Sequence, residues 1–272
     1  MTRGTGTLDG KTAIVTGGCT GLGKIMSLIL AGEGCDIVVA ARRVGPIEQT
    51  AKEVRDLGRR GLAIPTDVTD SKQVGSMVER TIGEMGRLDI MVNNAGIVRG
   101  QMPKAIWDLS DEEWHRGIDN NLTGTFYCSR AVMKHFVDQG HGKIINIASG
   151  NGMRGQRLDY MYGSAKAGVI NLTRVLAMTY SPSNIQVNCI APGFVDVSHL
   201  QPEPPTTGAS RNPRFIPVGR FGVPEDIGHL VLFLASDASD YVTGGLFASD
   251  GGGLASGVAP TGYAPVIEMK ED

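Results

Sequence analysis

The stretch from Thr12 to Ala41 reads TAIVTGGCTGLGKIMSLILAGEGCDIVVAA and decides the fold class. A short apolar run at 12–15 is followed by a glycine-rich turn, then by apolar residues at helical spacing, and then by the apolar run at 36–41. A strand, a helix and a second strand in this order form a βαβ unit, whose crossover connection makes the two strands parallel. The stretch therefore predicts an α/β fold.

The same alternation continues along the chain, with no linker between blocks. Further helices are expected at 47–57, 72–85, 112–139, 162–180 and 224–234, and further strands at 61–65, 88–93, 143–147, 185–191 and 246–249. Strands and helices that alternate in this way predict one doubly wound (Rossmann) domain over residues 1–257, with a mostly parallel sheet and helices on both faces.

Two segments break this rhythm. Residues 196–215 include QPEPPTTGASRNP, and a loop of this length inside a domain is usually functional or disordered. Because it follows the strand at 185–191 and could cover a ligand at the carboxyl edge of the sheet, we expect a substrate loop at about 196–216. The tail at 258–272 contains proline and ends in charged residues, and we expect a surface arm or a partly disordered segment.

Composition excludes several classes of protein. The 272 residues carry a net charge of −2, which offers no basic field to nucleic acid. No apolar run reaches transmembrane length, and no secretory segment is visible at the start. The four cysteines show no CxxC spacing, so we expect reduced thiols and no metal site. A soluble cytoplasmic protein without a membrane partner is the expectation.

The turn after the first strand has the spacing GxxxGxG. Only glycine lets the backbone turn this tightly and approach a pyrophosphate without a Cβ in the way, and the next helix offers free N–H groups and a positive dipole end. Ordinary turn glycines are the alternative, which the flanking strand and helix disfavour. The residues expected to bind a dinucleotide here are Gly17, Cys19, Thr20, Gly21, Leu22 and Gly23.

The second strand ends in Ala40-Ala41-Arg42-Arg43, without an acidic residue. An acid at this place would bind the ribose diol of NAD, whereas an arginine can receive the extra phosphate of NADP bidentately. We predict that NADP(H) is preferred and NAD(H) remains possible, with Arg42 as the first candidate and Arg43 beside it. A solvated surface pair is the alternative.

Tyr162 and Lys166 are four residues apart and share one helix face. An ammonium beside the phenol would lower a pKa that is about 10 when unperturbed. Such a phenol can donate a proton to a forming alkoxide and retrieve it in the reverse reaction. Tyr160 lacks a lysine at this spacing, because Ser164 follows it there, and we interpret Tyr160 as core or pocket wall.

Taken together, these motifs resemble the short-chain dehydrogenase/reductase family, in its single-domain branch, from about Lys11 to Gly253. The segments that carry the resemblance are TGGCTGLG, Asn93-Asn94-Ala95-Gly96, Asn121 in NNLTGTF, Ser149 in INIAS, the Tyr162/Lys166 pair and Pro192-Gly193. The resemblance implies hydride transfer between NADP(H) and a carbonyl or secondary alcohol. It also implies a homotetramer or homodimer built on the helices at 112–139 and 162–180.

The resemblance further implies a role for each member of the tetrad. Tyr162 would be the general acid in reduction and the base in oxidation, and Lys166 would tune it and hold the nicotinamide ribose. Ser149 would bind the substrate oxygen where charge develops. Asn121 would hold a water that connects Lys166 to solvent. Taken singly, Ser149 could be a plain strand-end hydroxyl and Asn121 a helix-interior amide.

Other cofactor contacts rest on the resemblance alone. They involve Asp67, Val68, Asn94, Ala95, Gly96, Pro192, Gly193 and Val195. Asp67 would contact the adenine, and a turn-capping role is the alternative. The sequence departs from the family at Val197, where a threonine often binds the nicotinamide carboxamide. Ser198 could replace it by a shift of one residue.

The substrate is less defined. Arg99, Arg154, Arg157 and His199 fall in the expected pocket walls and suggest an anionic substrate, such as a keto acid or a carrier-bound thioester, although exposed loop charges are the favoured interpretation. The sequence disfavours two other functions. The intact Tyr–Lys pair disfavours a catalytically silent cofactor-binding regulator. The glycine spacing and the short C-terminal region disfavour a nucleotide-sugar epimerase or dehydratase.

Overall fold

Seven strands and seven helices alternate along the chain in the computed structural model, which describes residues 6–97, 104–197 and 216–255. The strands are β1 (Thr12–Thr16), β2 (Asp36–Ala41), β3 (Gly61–Pro65), β4 (Ile90–Asn93), β5 (Gly142–Ile147), β6 (Ile185–Pro192) and β7 (Leu246–Ser249). The helices are α1 (Gly21–Gly32), α2 (Val44–Asp56), α3 (Ser71–Met85), α4 (Asp111–Ile118), α5 (Gly124–Gln139), α6 (Met161–Tyr180) and α7 (Pro224–Ala235).

The strands form one sheet in the order β3-β2-β1-β4-β5-β6-β7, and every adjacent pair is parallel. The chain moves outward from β1 in one direction through β3, and then in the other direction from β4 to β7. The strand order therefore reverses between β1 and β4, and ligands of such sheets bind at the carboxyl ends of the strands beside this point. The predicted doubly wound α/β fold is confirmed.

The core lies on both faces of this sheet, because helices cover both of them. On one face, Met26 and Leu30 of α1 pack with Ile227 and Val231 of α7. The opposite face is covered by side chains of α3 and α5, among them Phe136. The four cysteines are free thiols, and all of them are buried. Within the described residues, no helix is long and apolar enough to cross a membrane.

The predicted helix at 112–139 is interrupted. It consists of α4, a π-helical segment at Asp119–Thr123, and α5. The Asn120 and Asn121 amides donate to the carbonyls of Arg116 and Gly117, four residues earlier, at 2.9 Å each. Side chains that bond to the carbonyls of the preceding turn compete with the helical ladder and favour a widened turn. This segment places Asn121 in the interior.

Candidate active site

The glycine-rich turn packs closely against neighbouring backbone and side-chain atoms. Gly17 and Gly21 adopt φ values of +64° and +51°, in the left-handed region that favours glycine. A Cβ at Gly23 would overlap the carbonyl oxygen of Gly17 and lie 2.6 Å from Nδ2 of Asn94. The turn can therefore pack this closely against itself and against Asn94 only because Gly23 lacks a side chain.

The amino end of α1 offers a site for an anion. Thr20 precedes the helix and makes no side-chain cap, and the first turn contains no acidic residue. The first N–H groups of a helix lack partners within it, and together with the dipole they attract phosphate. Cys19 is buried and Leu22 packs against the core, so both anchor the turn from below. The turn thus fits the pyrophosphate of a dinucleotide.

The segment after β4 is tied to this turn. Asn94 Nδ2 donates to the carbonyl oxygens of Thr16 (2.9 Å) and Gly17 (3.3 Å). The backbone N–H groups of Asn94 and Ala95 donate to Oγ1 of Thr16 at 3.0 and 3.1 Å. A Cβ at Gly96 would lie 2.5 Å from Oδ1 of Asn121 and 3.5 Å from Nζ of Lys166. The structure therefore brings this segment between the glycine-rich turn and the tetrad residues.

Arg42 and Arg43 lie between β2 and α2, and both side chains are exposed. Among the described residues, neither guanidinium has a hydrogen-bond or ion-pair partner. Asp67 follows β3, and its Oδ1 accepts from the backbone N–H (3.0 Å) and the hydroxyl (2.8 Å) of Thr69. The turn-capping alternative for Asp67 is thus present in the structure. Val68 is buried against Gly124.

Tyr162 and Lys166 lie at the start of α6, and Nζ of Lys166 is 5.6 Å from the centre of the Tyr162 ring. Lys166 is buried, and its ammonium donates to the carbonyl oxygen of Ile147 at 2.8 Å. Burial lowers the pKa of Lys166 to about 8. The side chain therefore lies between the end of β5 and the phenol. Because its pKa is close to neutral pH, the ammonium can lose a proton there.

The electrostatics of Tyr162 differ from the expectation. Burial raises the pKa of the phenol, a hydrogen bond with Ser149 lowers it, and the charge of Asp159 raises it, so that the net direction is upward. Lys166 is not among the groups that lower the pKa of Tyr162, contrary to the prediction. Its ammonium donates to the Ile147 carbonyl and not to the phenol. Burial of the phenol outweighs its hydrogen bond.

Ser149 and Asn121 have distinct environments. Ser149 follows β5, and its Oγ accepts the backbone N–H of Asn151 at 3.2 Å. Asn121 is fully buried, and its amide exchanges hydrogen bonds with the backbone of Ile97, at 3.3 Å as acceptor and 3.1 Å as donor. Ser149 is thus joined to Tyr162, whereas the amide of Asn121 fixes the segment after β4 to the helix.

The segment after β6 approaches the glycine-rich turn. The Gly193 N–H donates to the carbonyl of Ser249 at 2.9 Å, and Val195 forms a parallel bridge with Gly222. Cγ1 of Val197 lies 3.9 Å from the position of a Cβ on Gly21. Pro192 is the last residue of β6, so the whole segment starts from the same edge of the sheet as the other candidates.

The residues predicted to line the substrate pocket lie partly within and partly outside the described residues. Arg154 is half-buried and Arg157 is exposed in the segment between Ser149 and Tyr162. Arg99, Ser198 and His199 lie outside the described residues, as do most of the expected substrate loop and the whole tail at 258–272. In the part of the chain that the structure describes, no group of three or more metal-ligating side chains is found.

Sequence reasoning missed Asn151 and Asp159. Nδ2 of Asn151 donates to Oδ2 of Asp159 at 2.8 Å, and the Asp159 charge acts on the Tyr162 phenol. An acidic residue just before a helix often marks the helix start, and this position is the signal by which the sequence could have pointed to Asp159. The pairing with Asn151 has no such signal, since it depends on how the intervening residues turn.

Comparison with known proteins agrees with this geometry. The profile of the family described as "short chain dehydrogenase" matches residues 11–207. The chain is 38% identical to cis-4-hydroxycyclohexanecarboxylate dehydrogenase of Sinomonas cyclohexanicum over 245 residues, covering 89% of this chain and 96% of the relative. It is 40% identical to 2-dehydro-3-deoxy-D-gluconate 5-dehydrogenase of Escherichia coli (strain K12) over 252 residues, covering 91% and 97%.

A solved structure gives the same result. The crystal structure of a short-chain type dehydrogenase/reductase from Mycobacterium marinum superposes with a TM-score of 0.81 and 39% sequence identity, covering 90% of this chain and 95% of that one. The chain belongs to the short-chain dehydrogenase/reductase family, whose members use nicotinamide cofactors, and it is an oxidoreductase that acts on CH–OH and C=O groups.

Proposed function

We propose that this protein moves a hydride between NADP(H) and a carbonyl or secondary alcohol of a small molecule, with Tyr162 as general acid and base. The observation that supports the proposal most directly is the position of the Tyr162 phenol, with the buried Lys166 ammonium 5.6 Å from the centre of its ring and with Ser149 lowering its pKa. The segment after β4 links Lys166 to the turn before α1, where a dinucleotide pyrophosphate fits, because Asn94 bonds to that turn and Gly96 approaches the ammonium.

The bound nicotinamide would supply or accept the hydride. The protein residues handle the proton and the substrate oxygen. Ser149 Oγ accepts the Asn151 N–H, and its own hydrogen, which serves the Tyr162 oxygen in the free protein, would turn to donate to the oxygen of a bound substrate. The Tyr162 hydroxyl gives its proton to that oxygen in reduction and takes it back in oxidation. Two donors aimed at one oxygen would stabilise the charge that develops there.

Lys166 would supply the proton that Tyr162 loses. Its ammonium is buried against the Ile147 carbonyl, and burial lowers its pKa to about 8, so it can release and regain a proton near neutral pH. We assign to Asn121 the task of holding a water between Lys166 and solvent, since the position of a Cβ on Gly96 would lie 2.5 Å from Oδ1 of Asn121 and 3.5 Å from Nζ of Lys166. The cofactor would be held by the residues predicted from the sequence in the turn and strand ends.

Preference for NADP rests on Arg42 and Arg43. Both are exposed cations without partners among the described residues, at the strand end where the family binds the adenine ribose. A guanidinium can bind a phosphate through two parallel hydrogen bonds. The lack of an acid at this place removes the group that would favour NAD.

Carboxylic acids belong among the substrates to be tested. Two relatives are named as dehydrogenases of carboxylates, a hydroxycyclohexanecarboxylate and a dehydro-deoxy-gluconate. The half-buried Arg154, between Ser149 and Tyr162, has no partner among the described residues and could bind such a group.

The test is the absorbance of the reduced nicotinamide during incubation with a panel of cyclic alcohols, sugar acids, hydroxy acids and neutral ketones. Each compound is run with NADP(H) and NAD(H), beside a Tyr162→Phe variant. We expect turnover that falls by about a hundredfold or more in the variant, because the proton donor is lost while cofactor binding remains. Tight cofactor binding without turnover on any compound would favour a regulator instead.

We also propose that the protein is a homotetramer or homodimer joined through α5 and α6. Side chains of both helices line a groove of about 450 Å³, which includes Phe126, Val137, Leu176 and Tyr180. Phe126 and Val137 are 41% and 39% exposed, which is high for apolar residues facing a groove.

A further inference from the structure

The turn that carries Ser149 is pressed directly onto α6. Residues Gly150–Gly152 form one 3₁₀ turn, which begins where the Asn151 N–H donates to Ser149 Oγ. A Cβ at Gly152 would lie 2.6 Å from the carbonyl carbon of Lys166 and 2.8 Å from the nitrogen of Ala167. The turn therefore touches the helix backbone itself, and its position depends on what holds it there.

Asp159 bonds to the turn and to the helix at the same time. Its Oδ2 accepts from Nδ2 of Asn151 at 2.8 Å, and its Oδ1 accepts the backbone N–H of Gly163 at 3.3 Å. Gly163 follows Tyr162 in the first turn of α6, and Tyr160 at the helix start makes no side-chain cap. One carboxylate thus bridges the residue two positions after Ser149 and the residue next to Tyr162.

The backbone before Asp159 is strained. Leu158 has a φ of +63°, in the left-handed region that a leucine rarely adopts. Such a conformation is unfavourable for a residue with a Cβ and persists only where the surrounding contacts compensate for it. The Asp159 N–H closes the turn by donating to the carbonyl of Gln156 at 3.2 Å. The strained residue lies directly before the carboxylate that makes both bridging bonds.

We infer that Asn151 and Asp159 form a clamp that fixes the Ser149 hydroxyl relative to the Tyr162 phenol, with Asp159 as a positioning residue for proton transfer. The inference rests on the proposed function, since it concerns the geometry in which Tyr162 and Ser149 act on one substrate oxygen. It assigns to Asp159 a task that its sequence position does not reveal.

The clamp also has an electrostatic consequence. The groups that act on the Tyr162 phenol are the Asp159 carboxylate, the Ser149 hydroxyl and the burial of the ring, with the Lys166 ammonium 5.6 Å from the ring centre. The Asp159 charge raises the pKa of Tyr162. An amide of the same size at 159 removes this charge, so the pKa of the phenol should fall.

The experiment compares Asp159→Asn, Asn151→Ala and the double variant with wild type. Asp56→Asn is the matched control, since its carboxylate lies in an exposed pair with Lys52 on α2. We expect kcat to fall roughly tenfold to a hundredfold in each clamp variant with little change in KM, because a displaced donor acts on the transition state. The double variant should lose little more than each single one.

The pH profile separates positioning from general damage. In the oxidation direction the active form of Tyr162 is the deprotonated one, so the acid limb of kcat/KM should move to lower pH in Asp159→Asn. Asn151→Ala and Asp56→Asn retain the Asp159 charge, and their acid limb should stay at the wild-type position. An Asp159→Asn enzyme with wild-type kcat and an unmoved limb would overturn the inference.

Amide hydrogen exchange tests the clamp without turnover. In wild type the Gly163 N–H is held by Asp159, so Asp159→Asn and Asn151→Ala should exchange faster in peptides covering 149–163, while Asp56→Asn should not. Unchanged exchange in both clamp variants would contradict the clamp. If wild type turns over no substrate, the proposed function fails, and the exchange measurement still decides on the clamp.

Discussion

At the scale of single residues, Gly23 lets α1 begin close against the glycine-rich turn and the segment after β4. Its neighbours leave no room for a side chain, since a Cβ would meet the Gly17 carbonyl and the Asn94 amide. The Asn94 amide in turn holds the end of β1 through Thr16. A methyl group at this position would therefore disturb two elements of the candidate cofactor site together.

Gly23→Ala should weaken NADP(H) binding by about tenfold or more, because the turn must shift to admit the methyl group. Titration calorimetry measures the change. Gly32→Ala is the control on the same helix, where a Cβ would meet nothing within 4 Å. That substitution should leave binding unchanged and stabilise the protein by roughly 0.5 kcal/mol through helix propensity. Equal binding by both variants would contradict the assignment of the turn.

Arg42→Asp should reverse the cofactor preference. An acid at this strand end repels the extra phosphate of NADP and can bind the ribose diol of NAD. We expect the ratio of kcat/KM for NADP to that for NAD to fall by roughly a hundredfold, with a smaller effect for Arg43→Asp. Lys72→Asp, a charge reversal at an exposed position of α3, is the control. An unchanged ratio in Arg42→Asp would remove the phosphate contact from the proposal.

At the scale of elements, α7 is held at its start by one carboxylate. Asp226 Oδ2 accepts the Val223 N–H at 2.8 Å, and both oxygens accept from Arg220, at 2.7 and 3.0 Å. These hydrogen bonds lower the pKa of Asp226 to about 2. Because α7 packs against α1, as at Gly228 and Ile29, this cap also supports the helix behind the glycine-rich turn.

Asp226→Asn should lower the free energy of unfolding at pH 7 by on the order of 1 kcal/mol, a value reduced for solvent screening because Arg220 is exposed. The folded pKa lies below the unfolded one, so the stabilisation is complete above about pH 5 and declines as the pH falls toward 2. Urea unfolding of both proteins between pH 7 and pH 3 measures it. A difference that stays constant over this range would contradict the assignment.

Local patterns account for most elements. Three strands, at 36–41, 61–65 and 246–249, have the predicted bounds. Helix α2 begins three residues earlier than expected, at Val44, because a proline is tolerated in the first helical turn and Pro46 occupies it. The bounds of these elements are determined by residues close to them in the sequence.

Contacts between distant residues could not be predicted in this way. The interruption of the helix at Asp119–Thr123 depends on hydrogen bonds from asparagine side-chain amides, and an asparagine can make such bonds with many other partners. The Lys166 bond to the Ile147 carbonyl joins residues 19 positions apart. The clamp needs a left-handed Leu158, and leucine has no preference for that conformation. Sequence motifs thus predicted the tetrad members but not the contacts that orient them.

At the scale of the whole molecule, the groove between α5 and α6 is the feature that bears on assembly. Arg130 lies 5.0 Å from the ring centres of Phe126 and Tyr127, so a cation stands beside the apolar groove. A second copy covering this face would bury Phe126 and Val137. The proposal of a tetramer or dimer can be tested without disturbing the described active-site residues.

Phe126→Glu should shift the protein to a smaller species in sedimentation equilibrium, because a carboxylate buried in an apolar contact is costly. The new side chain can pair with Arg130 four residues on, so the separate subunit should still fold. Val44→Glu, at a 56% exposed position on α2, is the control and should leave the mass unchanged. A wild-type protein that sediments as a monomer would rule out the proposed assembly.

The burial of all four cysteines has a practical consequence. Burial raises the pKa of Cys128 to about 12 and that of Cys189 to about 11, so few thiolates form at neutral pH. The native fold should therefore give almost no background reaction with maleimide dyes. A cysteine introduced by Met153→Cys, at a 45% exposed site beside the Ser149 turn, would then carry a single fluorophore that follows this turn in real time.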